Sequence, residues 1–111
     1  MKEIIFFELE NGKIPVQDWL DELDKSFQSR ILERFSHVVS GNYGDIQKLK
    51  NSELSEFRFD FGKGYRIYFK EVKNVIILLL NSGDKSTQAK DIKKAEQYFK
   101  IWKEQNNDKK I

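Results

Sequence analysis

The sequence contains no cysteine, which excludes disulfide frameworks, thiolate zinc sites and cysteine nucleophiles. Its single histidine, His37, excludes metal sites built from several histidines and acid–base chemistry shared by two of them. Long apolar runs are also missing. The longest, Val75 to Leu80, is six residues, against the ~20 that a membrane-crossing helix needs. Met1-Lys2-Glu3 opens the chain without the apolar stretch of a signal peptide, so the expectation is a cytoplasmic protein with no membrane contact. There is no Pro-rich linker, internal repeat or low-complexity tract. What the chain does have is aromatic side chains: nine Phe, four Tyr and two Trp among 111 residues. That is enough to bury large rings in the core of one domain, and too short for a second core. The domain is placed at 1–104, with a tail at 105–111 (QNNDKKI) that has nothing to bury.

The net charge of +2 conceals a gradient. Residues 1–24 carry two lysines against seven acids, a net of −5. Residues 25–84 stand at +3 and residues 85–111 at +4. Such a chain can present a cationic face despite its modest total, and this permits a nucleic-acid partner without requiring one.

Periodicity supplies the elements. Glu3–Leu9 (EIIFFEL) is β-branched and aromatic, bounded by Asn11-Gly12, and reads as a strand apolar on both faces. After Pro15, which suits a first helical turn, Val16, Trp19, Leu20 and Leu23 form one apolar stripe. Asp24-Lys25-Ser26 breaks this helix, and a second carries Phe27, Ile31, Phe35 and Val38 to a stop at Gly41-Asn42. The period then drops to two. Phe57, Phe59 and Phe61 alternate with Glu56, Arg58 and Asp60; beyond the Gly62-Lys63-Gly64 turn, Ile67 and Phe69 alternate with Arg66, Tyr68 and Lys70. Val75–Leu80 reads as an interior strand, Ile46–Leu49 as a short extra one, and Thr87 as the cap of a last helix carrying Ile92, Ala95, Phe99 and Trp102. The order predicts an α+β domain: an antiparallel sheet packed on one face against an N-terminal helical hairpin, followed by a C-terminal helix. Its core is expected to set Phe57, Phe59, Ile67, Phe69 and Val75–Leu80 against Trp19, Leu23, Ile31 and Phe35.

The polar face of this meander gathers Arg58, Arg66, Tyr68 and Lys70, with Lys63 at the turn. Cross-strand neighbours on one face lie ~5–8 Å apart, so several cations and a phenol can converge there, as a phosphodiester would require. An ordinary solvated face, with Arg58 paired to Glu56 or Asp60, fits the same pattern. Asn81 to Gln88 (NSGDKSTQ) superficially resembles a phosphate loop but lacks its glycine spacing, which rejects nucleotide hydrolysis. Asp18, Asp21, Glu22 and Asp24 mimic a divalent-metal cluster, yet they lie opposite the apolar stripe and read as a solvated edge. No metal and no cofactor is expected.

Several segments together carry a resemblance. Gly41-Asn42-Tyr43-Gly44-Asp45 with Lys48-Leu49, Leu54-Ser55-Glu56-Phe57-Arg58, Gly62-Lys63-Gly64-Tyr65-Arg66-Ile67-Tyr68-Phe69, and Gly83-Asp84-Lys85-Ser86-Thr87-Gln88 with Asp91-Ile92 and Ala95 are the segments in question. In this order they resemble the phage-derived addiction-module killer proteins, HigB-like members of the RelE/ParE toxin superfamily. The resemblance implies a RelE-like fold. It further implies the toxin of a type II toxin–antitoxin system that cuts mRNA on the ribosome without a metal and is silenced by a cognate helix-turn-helix antitoxin. Arg66 then matches a phosphate-gripping arginine, Lys85 a basic residue after the last strand, and Arg58 a catalytic cation. The C-terminal tyrosine of RelE proteins has no clear counterpart, since Ile92 falls near its place, and Tyr68 stands as the substitute. Lys48, Lys50, Lys63, Tyr65 and Lys70 are expected to contact RNA, and Asp18, Asp21 and Glu22 to contact the antitoxin, with the cationic face of Lys63, Arg66 and Lys85 as the alternative antitoxin surface. ParE-type relatives, which poison DNA gyrase without cutting RNA, are the alternative, and a nucleic-acid-binding module without nuclease activity is a third reading.

Overall fold

The structure, a computed structural model, describes residues 1–106. The elements run β1 (Glu3–Phe6), α1 (Pro15–Asp21), α2 (Lys25–Val39), β2 (Ile46–Lys48), β3 (Ser55–Arg58), β4 (Arg66–Val72), β5 (Ile76–Gly83), a 3-10 turn over Lys85–Thr87, and α3 (Gln88–Gln105). The α+β class is therefore as the sequence predicts. Gln105 closes α3 and Asn106 caps it, while the rest of the expected tail lies outside the described residues.

The strands form one sheet in the order β1-β5-β4-β3-β2. The meander β2-β3-β4-β5 is antiparallel, but β1 pairs with β5 in parallel, Ile4 opposite Ile77 and Phe6 opposite Leu79, so the sheet is mixed rather than antiparallel. Both strands are apolar on both faces, and the long connection between them permits a parallel pairing that a hairpin forbids.

A second correction concerns the helices. The hairpin of α1 and α2 covers one face, where Val16, Leu20, Ile31, Phe35 and Val38 pack on Phe57, Phe59, Ile67, Phe69, Ile77 and Leu79. Against expectation the other face is covered too: Ala95 and Phe99 of α3 pack on Phe7, Leu54, Tyr68, Leu78 and Leu80. Period two along β5 requires this, because Leu78 and Leu80 point away from Ile77 and Leu79 and need a cover of their own. Val75 lies outside the core, 47% exposed at the turn.

Local chemistry explains the boundaries. Pro15 occupies the start of α1, where its missing N–H costs nothing. The Gln28 amide donates to the carbonyls of Leu20 and Leu23 at 2.9 and 3.1 Å, satisfying the end of α1. At the end of α2, Gly41 (φ +99°) donates to Val38 O and Asn42 to His37 O, a Schellman stop. Lys73 and Asn74 both have positive φ, which forms the tight turn between β4 and β5. The strand predicted to end at Leu80 continues to Gly83, because a bulge places both Leu79 and Asn81 in register with the consecutive pair Phe69 and Tyr68 and leaves Leu80 as the extra residue. Thr87 is the N-cap residue of α3 as expected, without a side-chain capping bond, and Asp84 caps the preceding 3-10 turn, its carboxylate accepting from Ser86 N at 2.8 Å.

Candidate nucleic-acid interface

The end of β3, the turn Asp60–Tyr65, the start of β4 and the turn after β5 enclose an open cleft of about 560 Å³. Arg58, Lys63, Arg66 and Lys85 line it together with Asp45 and Asp60. Three features of the backbone bring these cations together. Arg58 and Arg66 stand directly opposite each other in the β3–β4 register. Gly83 of β5 is the next partner of Arg66, so the chain leaving β5 carries Lys85 to the same end of the sheet. Lys85 N donates to Lys63 O at 3.4 Å, joining the two turns. Gly64 (φ +73°) sits between Lys85 and the guanidinium of Arg66, and its conformation disfavours any side chain there.

The arginines are held differently. Arg66 is 8% exposed, and its Nη1 donates to the carbonyls of Gly64 and Tyr65 at 3.1 and 3.0 Å. Arg58 is half-buried; its Nη1 donates to Gln47 Oε1 at 3.4 Å. Buried Glu56 lies between them, 3.9 Å from Arg66 Nε and 4.0 Å from Arg58 Nε, and accepts from Gln88 Nε2 at 3.3 Å. From α2, Arg34 holds the backbone of one wall. It donates to the carbonyls of Tyr43, Asp45 and Arg58, while its guanidinium lies 4.5 Å from the Phe59 ring centre.

Two expected site residues are not where the pattern put them. Tyr68 is fully buried beneath α3, and its hydroxyl has no hydrogen-bond partner among the described residues. Burial, reinforced by the nearby carboxylates Glu56 and Asp91, pushes its phenol well above the ordinary range. Covered by α3, this hydroxyl does not open into the cleft. The face shared by Arg66, Tyr68 and Lys70 is polar only at its open end, since α3 covers the middle. Tyr65 points to the opposite face, against Trp19 and Phe27 with ring centres 5.5 Å away in each case, so its ring is core rather than a platform for bases.

The remaining cations disperse. Lys48 is on the edge strand β2, where its ammonium donates to Ser52 O; neither it nor Lys50 nor Lys70 lines the cleft. Asp18 and Asp21 are exposed on α1, and Gln17 donates to Asp21 at 2.8 Å. Glu22 lines a neighbouring groove with Trp19, Asp24, Phe27, Tyr65 and Lys63, and Lys63 also belongs to the cleft. The acidic edge and the cationic cleft, separate in the sequence reading, thus adjoin. Among the described residues no group of three or more His, Asp or Glu side chains gathers as a metal site.

Sequence reasoning missed Glu56 and Arg34 as members of the site. Glu56 had a signal, alternating in phase with Arg58, but only the covering helix shows that it is buried. Arg34 had none, because its partners are carbonyls 9 to 24 residues away.

The fold and cleft together define a small α+β domain with a mixed sheet, covered on both faces, and a cationic site at one end. Among the described residues no helix is long and apolar enough to cross a membrane. No family model matches the chain. It is 44% identical over 78 residues to a protein of Haemophilus influenzae described as uncharacterized, an alignment covering 69% of this chain and 78% of that protein. The chain belongs to the family of that protein.

Proposed function

We propose that this protein is a RelE-like toxin of a type II toxin–antitoxin pair, HigB-like in its motifs, that cleaves mRNA on the ribosome. The observation that supports this reading most directly is the meeting of Arg58, Lys63, Arg66 and Lys85 in one open cleft. Four cations against two carboxylates suit a bent phosphodiester, and the guanidinium fork of arginine matches its oxygens.

The nucleophile is the 2′-hydroxyl of the RNA itself. Its oxygen loses its proton to water in the open cleft and attacks the adjacent phosphorus, the P–O bond to the 5′-oxygen breaks, and the products are a cyclic phosphate and, once that oxygen is protonated, a 5′-hydroxyl. Arg66 and Arg58 offset the charge that grows on the phosphorane, and in-line geometry is set by the paired strands β3 and β4 that hold them opposite each other. Lys85, exposed on the opposite wall, is the group assigned to give the 5′-oxygen its proton. The cytoplasm, the ribosome and a helix-turn-helix antitoxin complete the setting. With Glu22 and Lys63 lining one groove, an antitoxin bound to Asp18, Asp21 and Glu22 would reach the rim of the cleft rather than leave it open.

Primer extension on mRNA after induction tests the proposal. Wild-type protein should halt growth and leave new 5′ ends within translated messages. Arg66→Ala should lower cleavage ~10²–10³-fold, the usual loss for one transition-state donor. Intact messages together with arrested gyrase supercoiling would overturn it in favour of the ParE-like inhibitor.

A further inference from the structure

Glu56 does not line the cleft, yet it is only 5% exposed and touches both of the cleft's arginines. Arg58 and Arg66 stand directly opposite on adjacent strands, an arrangement in which like charges repel. Long side chains so placed would swing apart into solvent unless something between them carried the opposite sign. Glu56 faces Tyr68, one pair further along the same face. Its two oxygens divide between the arginines, Oε1 lying 3.9 Å from Arg66 Nε and Oε2 4.0 Å from Arg58 Nε. The buried Nε of Arg66 has no hydrogen-bond partner among the described residues, so the attraction to Glu56 is what orients that end of the guanidinium. The far end is fixed by the carbonyls of Gly64 and Tyr65. Gln88, the first residue of α3, donates to the same Oε1 and so ties the carboxylate to the segment that carries Lys85.

We propose that Glu56 is the positioning residue of the cleft: one buried anion that holds Arg58 and Arg66 face to face and fixes their spacing to the turn carrying Lys85. The proposal rests on the RNA-cleaving reading above. Its signature is a sign that simple electrostatics cannot give. A carboxylate near a bound phosphate repels it, so if Glu56 did nothing but add charge, neutralising it would tighten RNA binding and leave cleavage equal or faster. A positioning role predicts the split result, slower chemistry without weaker binding.

The experiment uses the full chain with Glu56→Gln, close to isosteric and able to keep the Gln88 contact, and Glu56→Asp, which keeps the charge. Single-turnover cleavage of ribosome-bound mRNA reads the chemistry, and titration with a 2′-O-methyl oligonucleotide, which cannot be cut, reads binding. Cleavage by Glu56→Gln should fall ~10–100-fold, as a displacement of about 1 Å at a reacting centre can cause. Its affinity should be equal or higher, and Glu56→Asp should recover part of the rate. In parallel, the 15N spectrum of the arginine Nε–H groups should show Arg58 and Arg66 losing their distinct, slowly exchanging signals in Glu56→Gln. Wild-type cleavage by Glu56→Gln, or unchanged Arg58 and Arg66 signals, overturns the proposal. If wild-type protein cuts no message, the RNA-cleaving reading fails by itself, and the spectrum still decides: altered Arg58 and Arg66 signals support positioning by Glu56, and unaltered ones overturn it. Should Glu56→Gln not fold, Glu56→Asp supplies the same two readouts.

Discussion

On the face of the sheet toward α1 and α2, Phe57 stacks on Phe69 with ring centres 4.1 Å apart, and the neighbouring positions are Phe59, Ile67, Ile77 and Leu79. One residue along the same strands, on the face toward α3, stand Glu56 and Tyr68, and then Arg58 and Arg66. The first face is an aromatic core. The second is half core and half site, with Leu54, Leu78 and Leu80 giving way to buried Glu56, Arg66 and Asp91. Asp91 accepts from the Thr87 hydroxyl, and the Asn81 amide donates to its carbonyl at 3.0 Å. So small a domain thus keeps its aromatic core on one face and its buried charges on the other. Apolar area on one side supports the unfavourable burial of charge on the other.

The largest loss of stability is expected on the aromatic face. Phe57→Ala removes a fully buried ring and should cost ~3–5 kcal/mol, read by urea or thermal unfolding. A Phe57→Ala midpoint equal to wild type would mean that this face does not carry the stability. On the opposite face, Gly83→Ala should cost less. A Cβ there would lie 1.8 Å from Asp91 Oδ2 and 2.9 Å from Thr87 Oγ1, an overpacked contact of the kind that costs ~1–3 kcal/mol. Because Gly83 lies opposite Arg66, the RNA binding proposed above should weaken in Gly83→Ala as well, whereas in folded Phe57→Ala protein it should not.

Tyr68→Phe should act in the other direction. It deletes a buried hydroxyl without a partner, so stability should hold or rise by up to ~1 kcal/mol, and cleavage should stay at the wild-type rate. Loss of activity in Tyr68→Phe would restore the phenol to the site. The smallest effect belongs to the sheet's margin, where Lys2 Nζ donates to Glu71 Oε2 at 2.6 Å and the Tyr43 hydroxyl to Oε1 at 2.8 Å. The Lys2 hydrogen bond, then that of Tyr43, outweighs burial and holds the Glu71 carboxyl below the usual carboxylate range. A carboxyl depressed in the folded state adds stability above its unfolded pKa, lost as the pH falls through the folded value. Glu71→Gln should therefore match wild type in strong acid and fall slightly behind it at neutral pH, which melting curves across pH will show.

Alternation and stripes were legible in full. Phe57, Phe59, Ile67 and Phe69 fall on one face, and Ile31 and Phe35 meet them, because period two and period 3.6 are local properties of the chain. Three of the four residues placed at the catalytic centre from the sequence, Arg58, Arg66 and Lys85, line the cleft. The fourth, Tyr68, shares the face of Arg66 but not its exposure, and alternation cannot distinguish a face open to water from one under a helix.

What the sequence determined by itself, then, is the class of each element, the side of each strand that is apolar, and the turns at Gly41, Gly62 and Lys73-Asn74. These follow from backbone preference and side-chain period over a few neighbouring residues. Only the tertiary structure decided that β1 runs parallel to β5, that α3 covers the second face, and that a bulge in β5 brings Gly83 opposite Arg66. Those three facts depend on contacts between residues far apart in the chain, where the entropy of closing a long loop is set against apolar area buried. The last of them bears directly on the cleft, since no local run of this sequence holds Arg58, Arg66 and Lys85 together.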